Sequence, residues 1–263
     1  MHPVHLSGLA IEVPLNSTIS EESSDEDEGL TSVDLGSWQP RPTVCTTCTP
    51  QLVKEPIIPK TMADRRFRPE RFYGADYRPE DIEVARGQLV HTCSQEAGSD
   101  TATIQLTTIV VAFDGACLRN GKPGALGAVG VYFGPKNPWN KRQKLYPEMT
   151  HTSQLAELVG CRGATRFVLA MLKSEKRPKV ETLIIKSDSE YVIRSLTEYM
   201  PKWKSNGWRN AKGLRVANAE VFQEIEANIR ILEEQKAVRV YLWAVPRSMN
   251  EDADLLAKRE LGI

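Results

Sequence analysis

Long apolar runs are missing from this chain of 263 residues. None reaches the roughly 20 residues that cross a bilayer, which excludes a helical membrane span. Cysteine is sparse and unpatterned: Cys45, Cys48, Cys93, Cys117 and Cys161 are odd in number and lack framework spacing, so a disulfide scaffold is excluded. The pair Cys45 and Cys48 lacks the second pair of ligands that a structural zinc site needs. His91 and Cys93 could supply it, but unremarkable free thiols weigh far more. The opening MHPVHLSGLAIEVPLNS has no basic start followed by an apolar core, and acidic residues soon follow. A secretory signal or transit peptide is therefore not expected, and an intracellular setting is, nucleus or cytoplasm. No internal repeat is visible.

Net charge is also missing, with 34 basic residues against 34 acidic ones, and that balance conceals a split. Residues 1–106 carry 9 Lys and Arg against 17 Asp and Glu, a net of −8, which leaves +8 for residues 107–263. The second part is a basic domain whose field attracts a polyanion, and nucleic acid is its natural partner. Within the first part, SEESSDEDE at 20–28 is an acidic serine run, followed to about Pro59 by Pro, Thr and Ser without apolar periodicity. Residues 1–59 thus read as a disordered acidic tail, solubilising in character; Ser23 and Ser24 suit an acidophilic kinase, and the tail's partner is not specified. Residues 60–106 read as a partly ordered linker in which Phe67, Phe72, Tyr73 and Tyr77 can dock on a domain. From Thr107 onward the periodicity is regular, and 41% apolar content permits a proper core. Strands are expected at 107–113, 127–133, 142–146, 181–187 and 238–244, and helices at 153–172, 219–235 (N-capped by Asn218) and 249–260.

Four acidic residues stand where a chain would place metal ligands. Asp114 and Asp188 each follow an apolar, β-branched run suited to a buried strand, and a strand end is a rigid mount. Glu157 and Asp254 fall early in helical segments that could reach the same edge. Four converging carboxylates repel one another unless cations hold them, and an all-oxygen donor set selects Mg²⁺ or Mn²⁺. Each acid alone has a plainer reading: Asp188 as a helix cap, Asp114 as a turn residue, Glu157 and Asp254 as solvated helix positions. Their coincidence favours a metal-dependent phosphoryl-transfer site.

The segments FDGAC, GVYFGPKNPWN, TSQLAE, SDSEYVI, KWKSNGW and NEDADLLA follow one another in an order that resembles type 1 ribonuclease H, which cuts the RNA strand of RNA–DNA hybrids. The resemblance runs from about Thr107 to the C-terminus. It implies an α/β ribonuclease H-like fold, a mixed sheet of five strands flanked by helices. It also implies a two-metal mechanism, with Asp114 bridging two Mg²⁺ ions, Asp188 and Asp254 on the nucleophile side and Glu157 on the leaving-group side. The products would be a 5′-phosphate and a 3′-hydroxyl. Asn120 and Gln154, with the main chain of Cys117, match positions that read the hybrid from its minor groove, where the 2′-hydroxyl marks RNA. Tyr191 and Trp203 match the DNA channel, and Thr152, Asn210 and Asn218 the phosphate pocket; Trp208 reads as core. A monomer is expected.

The chain departs from the family pattern in one loop. AVPRSMNEDAD puts Arg247, Ser248 and Met249 where many members carry a longer, histidine-bearing loop, which implies slower turnover with the metal core intact. Ser153 and Leu155 depart as well, at positions that often hold Asn and Arg. A small N-terminal hybrid-binding domain, carried by some members, is not recognisable. The leading expectation is an active hybrid endoribonuclease. A domain that binds hybrids or structured RNA with weak or no cleavage is the alternative, and an exonuclease of the same superfold is disfavoured because Asp114-Gly115-Ala116 lacks the Asp-x-Glu such enzymes use.

Overall fold

The computed structural model describes residues 61–73, 81–95, 102–175 and 177–263. The acidic tail, the pair Cys45 and Cys48, Tyr77 and the Ser23–Ser24 site lie outside the described residues.

One mixed sheet organises what is described. Its centre is β3 (Ala102–Leu118), whose β-branched run from Ile109 to Val111 suits a strand buried on both faces. Ala112 is paired with Tyr132 of β4 (Leu126–Tyr132) on one side and with Lys186 of β6 (Thr182–Ser187) on the other. The first pairing is antiparallel and the second parallel. Outward from β4 lies β5 (Lys141–Lys144), and outward from β6 lies β7 (Arg239–Ala244), parallel to it. These five strands are those expected, within a few residues.

The sheet is wider than expected. β1 (Glu83–Arg86) and β2 (Leu89–Gln95) form an antiparallel hairpin that continues onto the first half of β3, making seven strands. β3 is long enough to serve both neighbours, and Val90 N–H donates to Phe133 O at 3.0 Å where β2 meets the end of β4. Cys93 and His91 are absorbed into this hairpin: the thiol donates to Asp81 O at 3.3 Å, and the His91 ring bonds Thr108 O at 2.9 Å.

Alternation along the strands sends side chains to two cores. On one face Ile109, Val111, Phe113, Leu183, Ile185, Val240 and Leu242 pack against helices α2 (Ser153–Met171) and α5 (Ala219–Arg230). On the other, Val110, Ile184, Tyr241 and Trp243 pack with Phe67, Ile82 and Val245. Phe67 stacks on Phe72 of α1 (Pro69–Tyr73) at 4.9 Å and meets Trp243 edge-on at 5.1 Å, so residues ahead of the hairpin close this second core. The Phe67 N–H donates to Leu242 O at 2.8 Å, covering the free edge of β7.

Between β6 and α5 the chain runs through α3 (Glu190–Arg194), a π-helical turn (Ser195–Tyr199) and α4 (Met200–Ser205), a helical stretch the periodicity did not announce. α6 (Glu251–Leu261) follows a 3₁₀ turn at Arg247–Met249 and lies on β3, β4 and β5. Two glycines set how closely helices approach the centre of the sheet. A Cβ on Gly115 would stand 2.2 Å from Glu157 N, and one on Gly130 2.2 Å from Ala253 O. Since Gly130 pairs with Asp114 across β3 and β4, both helices press on the strand at the same level.

Candidate active site

Asp114 lies in the last third of β3, 7% exposed, and its Oδ1 accepts from the Gly115 N–H at 2.8 Å. Burial pushes its carboxyl up to about 7; the neighbouring Asp188, Asp254 and Glu157 charges add to the rise, and the Gly115 hydrogen bond opposes it. The expected four acids are therefore within electrostatic reach of one another.

Each of the other three is held by a different device. Glu157, in the second turn of α2, accepts from the Ser189 hydroxyl at 2.6 Å. Ser189 also caps α3, accepting from Val192 N–H at 3.3 Å, so the cap is Ser189 and not Asp188. Burial raises the Glu157 carboxyl, the Ser189 bond lowers it and the Asp188 charge raises it again, for a net rise. Asp188, just past the end of β6, accepts from Asn250 Nδ2 at 2.7 Å; the same Nδ2 donates to Phe113 O at 3.0 Å. One buried amide thus ties the ends of β3 and β6 to the start of α6. Asn250 stands at the N-cap position of α6 but makes no side-chain cap bond.

Asp254, one turn into α6, is paired: Lys258 Nζ lies 2.6 Å from one oxygen and Arg247 Nη2 3.2 Å from the other. Burial pushes its carboxyl up, but the hydrogen bonds and charges of Lys258 and Arg247 outweigh it, leaving the group below the usual carboxylate range. Arg247 comes from the short loop that departs from the family pattern, and Asp188 and Asp114 also lie in its field. Among the described residues no three acidic, imidazole or thiol side chains stand together closely enough to hold a metal ion. The reason is local. Glu157 is turned to Ser189 and Asp254 to Lys258 and Arg247.

The expected nucleic-acid contacts belong to two sets of elements, the β3–β4 turn with the start of α2, and the stretch from α3 to the start of α5. Asn120 Oδ1 accepts from Ser153 N–H at 3.1 Å, fastening the β3–β4 turn to the start of α2 beside the exposed Gln154. Thr152 is the N-cap of α2, accepting from Leu155 N–H at 3.1 Å. Tyr191 packs edge-on to Phe222 at 6.2 Å, and its hydroxyl lies in the field of Glu157. Trp203 meets Phe222 at 5.3 Å and Trp208 at 6.2 Å, and both indoles are half-buried and packed against the main core. Asn210 spends its carbonyl oxygen on Lys212 and Leu214 N–H groups, at 2.9 and 3.1 Å, inside its own loop. Asn218 is not the side-chain cap expected: it sits at φ 58°, left-handed, with no side-chain cap bond.

Ser189, Asn250 and Lys258 were not picked out from sequence. Only Lys258 carried a signal, the i,i+4 spacing from Asp254.

A family model described as RNase H matches residues 107–261. Ribonuclease H of Stutzerimonas stutzeri is 33% identical over 151 residues, covering 56% of this chain and 86% of that protein. Ribonuclease H1 of Rattus norvegicus is 31% identical over 156 residues, covering 57% of this chain and 49% of that protein, so the chain spans about half the length of such mammalian relatives. Among solved structures, RNase H1 from the halophilic archaeon Halobacterium salinarum is similar at 17% identity and a TM-score of 0.38, covering 59% of this chain and 98% of that one.

Proposed function

This chain belongs to the RNase H family, and on that premise we propose that it hydrolyses the RNA strand of RNA–DNA hybrids, leaving 5′-phosphate and 3′-hydroxyl ends. The observation that carries the proposal is the burden of negative charge on Asp114, set by burial and by Asp188, Asp254 and Glu157 together. Three of the four acids, Asp114 on β3, Asp188 just past β6 and Glu157 on α2, have no cation paired to them among the described contacts, and only Asp254 is paired, by Lys258 and Arg247. An all-oxygen set of this kind fits Mg²⁺, with Mn²⁺ as a substitute. Asp114, Glu157, Asp188 and Asp254 would hold two such ions, whose chemistry would be to activate a water and neutralise charge on the leaving 3′-oxygen.

The chain's own residues do the rest. Asp114 presents its carboxylate from within β3, four residues before that strand ends, not from the strand end expected, and Asp188 from just past the end of β6, where Asn250 fixes its side chain. The Ser189 hydroxyl orients Glu157. Lys258 and Arg247 keep Asp254 ionised. Asn120 and Gln154 face the minor groove, Tyr191 and Trp203 flank the DNA strand, and Thr152, Asn210 and Asn218 seat its phosphate. Lys202, Lys204, Arg209 and Lys212 draw the polyanion in.

A second reading, a hybrid-binding domain with weak cleavage, is favoured by one feature: Asp254 is already paired by two cations and Glu157 by a hydroxyl. One gel experiment separates the two. Labelled RNA–DNA hybrid, duplex RNA and duplex DNA are incubated with the full chain in Mg²⁺ or Mn²⁺, alongside Asp114→Asn. Cleavage confined to the hybrid's RNA strand, lost in Asp114→Asn while hybrid binding persists, supports the enzyme. Tight binding without cleavage supports the second reading, and cleavage by Asp114→Asn within about tenfold of the parent removes Asp114 from the chemistry.

A further inference from the structure

The residues matched by the RNase H family begin at 107, yet the segment ahead of them reaches the active-site strand from two sides. Glu83, on β1, places Oε2 2.5 Å from Lys186 Nζ, with the two side chains only 16% and 10% exposed. Lys186 is two residues before Asp188 on β6. Arg66 places Nη2 2.9 Å from Glu190 Oε1 and Nη1 3.2 Å from Glu198 Oε1. Glu190 opens α3 two residues after Asp188, and its N–H donates to Asp188 O at 3.1 Å. The chain on either side of Asp188 is therefore gripped by ion pairs whose other halves belong to residues 61–95. A third link runs to α6: Asp252, two residues before Asp254, lies in the field of both Lys186 and Glu83.

We propose that Arg66 and Glu83 are positioning residues for the metal-binding carboxylates, so that the segment ahead of the family-matched region is a working part of the site and not a linker to it. The inference rests on the functional reading above. A buried ion pair is poor evidence for added stability, because desolvation offsets much of the attraction. What such a pair does fix is geometry: with one carboxylate oxygen of Glu83 bound to Lys186 and the other without a hydrogen-bond partner, the strand end cannot slide without stranding a buried charge. The backbone that carries Asp188 is thereby set before any cation arrives. Groups that orient metal ligands from behind commonly change metal affinity by about tenfold or more when removed.

The test uses the full chain with Glu83→Gln, Arg66→Ala and the double variant, and reads two quantities: the rise in thermal midpoint that Mg²⁺ produces, and the Mg²⁺ concentration at half-maximal hybrid cleavage. The expected result is a half-saturating Mg²⁺ concentration about tenfold higher in the double variant, a smaller Mg²⁺-induced rise in midpoint, and a KM for hybrid within about twofold of the parent. Variants that melt lower by the same amount with and without Mg²⁺, and keep the parental Mg²⁺ requirement, would reduce the segment to a structural support and overturn the proposal. Where Glu83→Gln does not fold, Arg66→Ala decides by the same criteria, because a partly exposed pair costs little stability. A parent that responds to Mg²⁺ in its melting but cleaves no hybrid defeats the functional reading while the melting readout still judges the positioning. A parent with no Mg²⁺ response at all overturns both.

Discussion

Lys186 and Asp188 are two residues apart on one strand end, and the protein treats their charges in opposite ways. Lys186 is buried and answered by Glu83 at 2.5 Å. Asp188 is answered by a neutral amide, Asn250 at 2.7 Å, and its neighbour Asp114 by a backbone N–H and three more carboxylates. Around Lys186 the aromatic core of Phe67, Tyr241 and Trp243 closes over a charge that has been compensated. Around Asp114 the charge is left in excess. An interior assembled for stability alone would resemble the first region everywhere, because unpaired buried charge is among the costliest things a fold can carry. The second region is therefore where stability has been given up, which is why the proposed chemistry is assigned there.

Emptying the aromatic core beside Lys186 should cost the most in stability and leave hybrid binding in place. Phe67 is 4% exposed and touches Phe72, Tyr241 and Trp243. Phe67→Ala should lower the unfolding free energy by about 3–5 kcal/mol, the usual cost of emptying a buried aromatic site. Urea denaturation followed by tryptophan fluorescence reads it directly, since Trp243 lies against the lost ring. The same variant, below its unfolding transition, should still bind hybrid, because Trp203 and the basic loop belong to other elements.

The second region responds to pH with a sign of its own. The Asp114 carboxyl is raised from 3.8 to about 7 in the fold, so its contribution to stability is fully present below about pH 4 and is lost as pH rises through 7. Asp254 is lowered and works the other way, contributing above the ordinary carboxylate range and losing that contribution as pH falls. In chelator, the protein should therefore lose stability between about pH 4 and 7, by at most a few kcal/mol given how strongly the carboxylates interact. Asp114→Asn should flatten that slope, and should be more stable than the parent at pH 8 with the gap closing by pH 5. Denaturation midpoints at those two pH values decide it; a parent whose stability rises steadily over the range would show that Asp114 is not under this strain.

How much of this was legible in the chain depends on which physical signal a residue carries. The four acids could be read because each follows an apolar run or falls early in a helix, and β3, β4, β6 and β7 because apolar runs of strand length are local facts; β5, Lys141–Lys144, carries no such run. β1 was hidden: it is four residues long, it has only partly buried and exposed positions, and what makes it a strand is Val90, Thr92 and the partners they find on β3. The helical stretch at 190–205 was hidden for a different reason, since a π-turn in its middle shifts the apolar face and erases the 3.6-residue period. Asn250 could not be read at all as a clamp, because its two partners lie 137 and 62 residues away. Local pattern finds ligands; what holds the ligands is tertiary.

Trp203 belongs to neither region cleanly, and for that reason it sharpens the comparison at the smallest expected effect. Its ring packs edge-on against Phe222 of the main core at 5.3 Å, yet it remains half-exposed beside the exposed Lys202 and Lys204. If the indole serves as a platform for the DNA strand, Trp203→Ala should weaken hybrid binding by roughly 1–3 kcal/mol at fixed salt, with the salt dependence of binding unchanged because no cation is lost. If it serves only the core, stability falls and affinity of the folded protein does not. Trp203→Phe separates the two further, since a smaller ring keeps the Phe222 contact while presenting less surface to a base or sugar. Titration of labelled hybrid at two salt concentrations, with Asp114→Asn as the background so that nothing is cleaved, measures affinity alone. An unchanged dissociation constant for Trp203→Ala would place Trp203 with the compensated, structural half of the molecule and leave the basic loop to hold the hybrid by charge.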